Sequence, residues 1–155
     1  MSPELESLSK SCQPFIPTII AFCCNWCSYG AADLAGVNRT KYPTNLRIVR
    51  VMCSGMVHAD MVINSLLKGA DGVMVLGCHM GDCHYINGNE KAARRAEVIQ
   101  EMLPDYGLEA QRFRIEWISA AEGGKFAQTA QEMTDLITKL GPNPFKKKGE
   151  EPDAC

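Results

Sequence analysis

Six of the eight cysteines fall in three short stretches, FCCNWC (22–27), MCSG (52–55) and GCHMGDCHY (77–85). Thiolates are soft ligands that select zinc or iron–sulfur centres, and a close pair can instead act as attacking and resolving thiols. Cys24 and Cys27 make a C-x2-C, Cys78 and Cys83 a C-x4-C, and Cys53 stands alone between them. Such spacings are used by [2Fe–2S] ligands in ferredoxin-type proteins, whereas a structural zinc knuckle presents two C-x2-C-like pairs on short ribbons. Cys24, Cys27, Cys53, Cys78 and Cys83 are therefore the candidate cofactor and metal ligands. A [2Fe–2S] cluster takes four, and the sequence does not choose among the five. Two rivals stay open: a dithiol oxidoreductase acting through Cys24 and Cys27, and a zinc-stabilised bridging scaffold.

The neighbours of these cysteines read more plainly. Cys23 and Cys24 are consecutive in an extended segment and must point to opposite faces, so one can turn toward a shared site. Cys24 lies nearer the loop and is favoured, leaving Cys23 as a small buried apolar residue. His79 and His84 flank the last two cysteines, but a Rieske-type site needs a Cys-x-His pair in each of two loops, and both histidines share one. They are expected to hydrogen-bond a cluster, a partner or solvent. Ser28, Ser54, His79 and the loop amides are the groups expected to tune it. Asp82 is either a proton acceptor or a solvated loop residue. Trp26 is expected to cover core, with a docking surface as the alternative, and Met52, Met56, Met74 and Met80 are expected to pack, exposed methionines suiting a partner interface instead. His58 begins a helix as an exposed polar residue. Cys12 and Cys155 lie in polar arms and are given no role.

These loops need elements to hold them. PTIIAFCCNW (17–26), LRIVRVMC (46–53) and DGVMVLGC (71–78) are short apolar runs of the kind buried in parallel sheets, and RFRIEWIS (112–119) alternates as a fourth, more exposed strand. Between and after them, 28–39, 58–69, 88–107 and 122–141 read as helices, the last three with glycine or proline stops. Strand and helix alternate four times, which predicts an α/β fold with an open parallel sheet of about four strands and crossover helices. In such a sheet the strand carboxyl ends share one edge, where ligands bind, and the candidate cysteines all fall there. The glycines in their loops let backbone amides approach a compact inorganic group.

At 155 residues the chain is expected to form one domain at 17–141, with an arm at 1–16 and a flexible tail or docking strap at 142–155. Sixteen basic residues against eighteen acidic ones favour neither nucleic acid nor an anionic membrane surface. The acidic start MSPELESLSK lacks a secretory signal, and FIPTIIAFCCNW is too short and proline-broken to span a bilayer. The expected location is the cytoplasm, whose reducing thiol pool favours metal or redox use of cysteine over structural disulfides. No G-x-G-x-x-G follows the first strand, so no nucleotide or flavin is expected in this chain.

Four blocks, FCCNWCSYGAADLAG, YPTNLRIVRVMCSG, GADGVMVLGCHMGDCHY and EWISAAEGGKFA, closely resemble the delta, iron–sulfur subunit of methyl-viologen-reducing (deazaflavin-non-reducing) hydrogenases, from about residue 18 to about residue 140. The resemblance implies a non-catalytic subunit with one [2Fe–2S] cluster. Such a subunit relays electrons from a nickel–iron hydrogenase or formate dehydrogenase module to a heterodisulfide reductase, whose flavin-containing large subunit carries out electron bifurcation in methanogens. The family's cysteine motifs map onto Cys24 and Cys27, Cys53, and Cys78 and Cys83. One departure is Met56, where relatives tend to have arginine after the glycine.

Overall fold

The computed structural model describes residues 14–146. Its centre is a four-stranded sheet of β1 (Ile19–Cys24), β2 (Leu46–Val51), β3 (Gly72–Gly77) and β4 (Phe113–Trp117), in the order β2-β1-β3-β4 with every pairing parallel. Four helices connect and close it: α1 (Ser28–Val37), α2 (Ala59–Leu67), α3 (Gly88–Met102) and α4 (Gly123–Leu140). This is the expected α/β architecture. The helix expected over 88–107 ends at Met102 because Pro104 turns the chain into a 3-10 segment, Leu103–Tyr106, which Gly107 closes in the left-handed region at φ 75°.

Alternation along the strands divides the core in two. Ile19, Ala21 and Cys23 pack with Met74 and Leu76 beneath alanines of α1 and the apolar stripe Phe126, Ala130, Met133 and Ile137 of α4. Phe22 joins Val73 and Val75 on the other face, under Val62 and Leu66 of α2 and Ala96 and Ile99 of α3. β3 lies between β1 and β4 and is buried at all six positions, as its unbroken apolar run requires. Both β2 and β4 are edge strands, and the more exposed is β2 rather than β4: Arg47, Val49 and Arg50 face solvent, whereas every position of β4 is at least partly covered.

At the sheet edge away from the cysteines, the wholly buried Asp71 carboxylate accepts from the Thr18 N–H (2.8 Å), the Asn143 N–H (2.9 Å) and Lys146 Nζ (2.9 Å). Asn143 is also buried and donates its side-chain amide to the carbonyls of Leu66 (2.7 Å) and Ala70 (2.6 Å). Buried Arg112 binds the carbonyls of Asp71, Gly141 and Pro142. The chain beyond α4 therefore stays packed through these contacts, past the boundary expected at residue 141. Cys12 and Cys155, with the rest of 1–13 and 147–155, lie outside the described residues. Among the described residues no helix is long and apolar enough to cross a membrane.

Candidate metal centre

Parallel register places the cysteine loops side by side. Cys24 pairs with Val51 and Cys23 with Leu76, so the chain leaves β1, β2 and β3 at one edge, carrying Cys24, Cys53 and Cys78 within a few residues of each exit. The sulfurs of Cys24 and Cys78 are 3.7 Å apart, and with Cys27 they form a buried trio whose Sγ atoms lie within 4.8 Å of one another. The sulfurs of Cys53 and Cys83 are 3.9 Å apart and form a pair. Burial, and then negative charge on Cys83 and on Cys24, raises the Cys53 thiol, so the trio and the pair are electrostatic neighbours. Cys23 points the other way into the α1/α4 core, where burial pushes its thiol up to about 12.

Each group contains one thiol moved toward the thiolate. Cys24 is lowered to about 6, chiefly by the hydrogen bond from Cys27, whose own thiol is raised by holding that proton. Burial opposes ionisation of Cys83, but the N–H groups of Tyr85, Asn89 and Gly88 outweigh it and lower the group. Burial raises Cys78 as it does Cys53. Thiolate ligands need amide donors and little steric crowding, and both are present here. The Gly88 N–H donates to Cys83 Sγ (3.2 Å) and the Gly55 N–H to Cys53 Sγ (3.4 Å). A Cβ on Gly88 would stand 2.2 Å from Cys53 Sγ and 3.2 Å from Cys83 Sγ, so only glycine leaves room for the pair.

Of the groups expected to tune the centre, the loop amides do reach the sulfurs, while the three named residues hold the frame instead, with one exception. Buried Ser28 accepts from the Cys24 N–H (2.8 Å) and donates to the Leu76 carbonyl (2.7 Å), fastening the end of β1 to β3. His79 pairs with Glu122 at 2.6 Å, joining the Cys78 loop to the start of α4. The exception is Ser54, whose backbone N–H helps lower Cys24. His84 stacks on Trp26 instead of turning toward the sulfurs, and Trp26 is half exposed, not over the core. Of the four methionines expected to pack, Met74 alone does. Met52, Met56 and Met80 sit in loops at the cysteine edge and are exposed. Asp82 and His58 face solvent.

Two residues of α3, neither of them a candidate from the sequence, also act here. Asn89 donates to the carbonyls of Cys78 (3.1 Å) and His79 (2.7 Å), and Arg95 donates to those of Gly55 (2.5 Å) and Val57 (3.2 Å). No local pattern identifies either residue, because both reach across to backbone in other loops. The one sequence signal for Asn89 is its place at the head of a helix that follows directly on the Cys83 loop.

Residues 19–141 match the family model described as methyl-viologen-reducing hydrogenase, delta subunit. The chain is 49% identical over 131 residues to the iron-sulfur subunit of the F420-non-reducing hydrogenase of Archaeoglobus profundus, covering 84% of this chain and 96% of that one. It is 48% identical over 131 residues to the iron-sulfur subunit of the F420-non-reducing hydrogenase vhc of Methanococcus voltae, covering 84% and 91%. It is also 48% identical over 126 residues to one subunit of the Ferredoxin/F(420)H(2)-dependent CoB-CoM heterodisulfide reductase of Methanosarcina acetivorans, where the match takes in 81% of this chain but 16% of the longer protein.

Proposed function

This chain belongs to the methyl-viologen-reducing hydrogenase delta subunit family, and on that footing we propose that it is an electron-transfer subunit holding one [2Fe–2S] cluster at its cysteine edge. The observation that carries the reading is the convergence of five thiols from three sequence-distant loops into a trio and a pair. The donor set fits the group: it is all sulfur, amides aim at both members of the pair, and Gly88 leaves the space open. Each iron of such a cluster takes two thiolates, which suits Cys53 and Cys83 on one side and two of Cys24, Cys27 and Cys78 on the other. The cluster supplies uptake and release of one electron at a time. The chain's own residues fix the loops, exclude water around four buried cysteines and balance thiolate charge with N–H dipoles.

The proposed partners are a hydrogenase or formate dehydrogenase module as donor and a heterodisulfide reductase-type complex, with its flavin-containing bifurcating subunit, as acceptor. Support comes from relatives named as hydrogenase iron-sulfur subunits and from a relative named as a heterodisulfide reductase subunit that carries the matching segment within one longer chain. The cytoplasm is the proposed location.

One observation favours a second reading: Cys24, lowered to about 6, has the thiolate character of an attacking dithiol. It is 1% exposed, however, so a substrate disulfide has no line of approach. Iron and acid-labile sulfide in protein purified without oxygen decide between these. Two irons and two sulfides per chain are expected, with visible absorption that zinc thiolates lack. A metal-free product with a titratable dithiol would turn the assignment to the oxidoreductase. Within the cluster reading, Cys53→Ala and Cys83→Ala should both lose iron, while Cys23→Ala keeps it.

A further inference from the structure

Arg95 lies seven residues after Gly88, about two helical turns, so both face the same side of α3. That side carries the Cys53 loop. Gly55 packs so closely on Gly88 that a Cβ there would meet the Gly88 carbonyl oxygen at 2.7 Å, and Arg95 Nη1 grips the Gly55 and Val57 carbonyls at 2.5 and 3.2 Å. Gly55 also donates its N–H to Cys53 Sγ, and Gly88 its N–H to Cys83 Sγ. One helix thus holds both members of the sulfur pair: Cys83 through its first turn, Cys53 through the loop clamped two turns on. The guanidinium is half-buried, and it makes no ion pair with a carboxylate among the described residues.

We propose that Arg95 is a positioning residue for the thiol centre: it fixes the Cys53 loop beside Cys83 and sets an unneutralised positive charge behind it. The electrostatic half of this rests on the iron–sulfur reading above. A nearby cation favours the more negative, reduced state of a thiolate-bound cluster and so raises its potential.

The test uses the full chain with Arg95→Gln and Arg95→Lys. In metal-free protein, the amide protons of residues 53–57 should exchange about tenfold faster in both variants, since both contacts are made by Nη1 and the lysine Nζ ends one bond, the glutamine amide nitrogen two bonds, short of that atom. In anaerobically reconstituted protein, Arg95→Gln should shift the one-electron equilibrium about tenfold toward the oxidised form, about 59 mV, while Arg95→Lys stays near the parent. Parental exchange at these amides, or a parental potential in an iron-loaded Arg95→Gln protein, overturns the assignment. Should Arg95→Gln fail to fold, Arg95→Lys alone decides, because parental exchange at 53–57 in that variant also overturns it. If the parent chain binds no iron, the cluster reading fails, and exchange in the metal-free protein still decides whether Arg95 holds the loop.

Discussion

The indole of Trp26 and the imidazole of His84 stack with centroids 3.8 Å apart and planes 14° from parallel, although the two residues are far apart in the chain. Trp26 sits between Cys24 and Cys27, and His84 follows Cys83, so the stack ties the loop of Cys24 and Cys27 to the loop of Cys83. Trp26 Nε1–H donates to the Tyr85 hydroxyl at 3.2 Å, and His84 meets Tyr85 edge-on at 5.0 Å. An exposed aromatic pair contributes about 1 kcal/mol. Trp26→Ala should therefore lower unfolding stability by about that amount in urea titration and speed iron loss to a chelator several-fold. Trp26→Phe should keep most of both, and parental chelation kinetics in Trp26→Ala would show the stack to be idle.

Gly88→Ala is the sharpest steric probe of the sulfur pair. The added carbon would lie 2.2 Å from Cys53 Sγ, far inside contact distance, so the loop or the helix start must move. Alanine otherwise favours a helix by about 1 kcal/mol over glycine, so any loss reports the clash rather than propensity. Loss of iron binding is expected, with helix content by circular dichroism near the parent. Gly36→Ala in α1, where nothing lies within 4 Å of the new carbon, is the matched control and should keep its iron.

The strand ends are legible in the sequence because short apolar runs stop at cysteines, and parallel pairing then leaves one edge for them to share. Cys23 and Cys24 separate as alternation demands. What the sequence hides is the scaffolding between loops. Ser28 starts α1 as the sequence suggests but also bonds β3, Asn89 and Arg95 look like ordinary residues of a charged helix, and Gly55 and Gly88 meet only after folding brings them together. The expectation of packing fails for Met52, Met56 and Met80 because their loops contribute no period from which a face can be inferred. The same limit applies at the far edge, where the proline-flanked Asn143 carries no sign of its buried contacts.

Glu122 supplies a pH signature. The Ser119 N–H (2.7 Å) and then the His79 ring (2.6 Å) hold its carboxyl down to about 2 from an ordinary 4.5. A carboxyl depressed on folding stabilises the native state above its unfolded value and loses that contribution as pH falls toward the folded one. The stabilisation is thus complete above pH 4.5 and fades between 4.5 and about 2. Glu122→Gln should flatten the decline of melting temperature with pH across that window relative to the parent, most visibly at low salt because the pair is half-exposed. An unchanged slope would mean that the contact is not made in solution.

The tail's contribution to assembly must be tested with a cut that spares the fold. Asn143 donates to the carbonyls of Leu66 and Ala70 at the end of α2, and its N–H, with Lys146 Nζ, answers the buried Asp71 carboxylate. Removing a partner from buried polar groups costs about 1–3 kcal/mol, because the survivors stay out of water unsatisfied. Asn143→Ala should lose about that much stability in denaturant titration. Truncation after Gly141 should lose more, since Arg112 also gives up the Pro142 carbonyl it binds at 3.3 Å. Truncation after Lys146 keeps every one of these bonds and should melt with the parent. If the two truncations melt alike, the far-edge network does not hold the domain. If they differ as expected, co-purification with the proposed partners should be compared using the longer chain, where a lost complex reports docking by 147–155 instead of an unfolded domain.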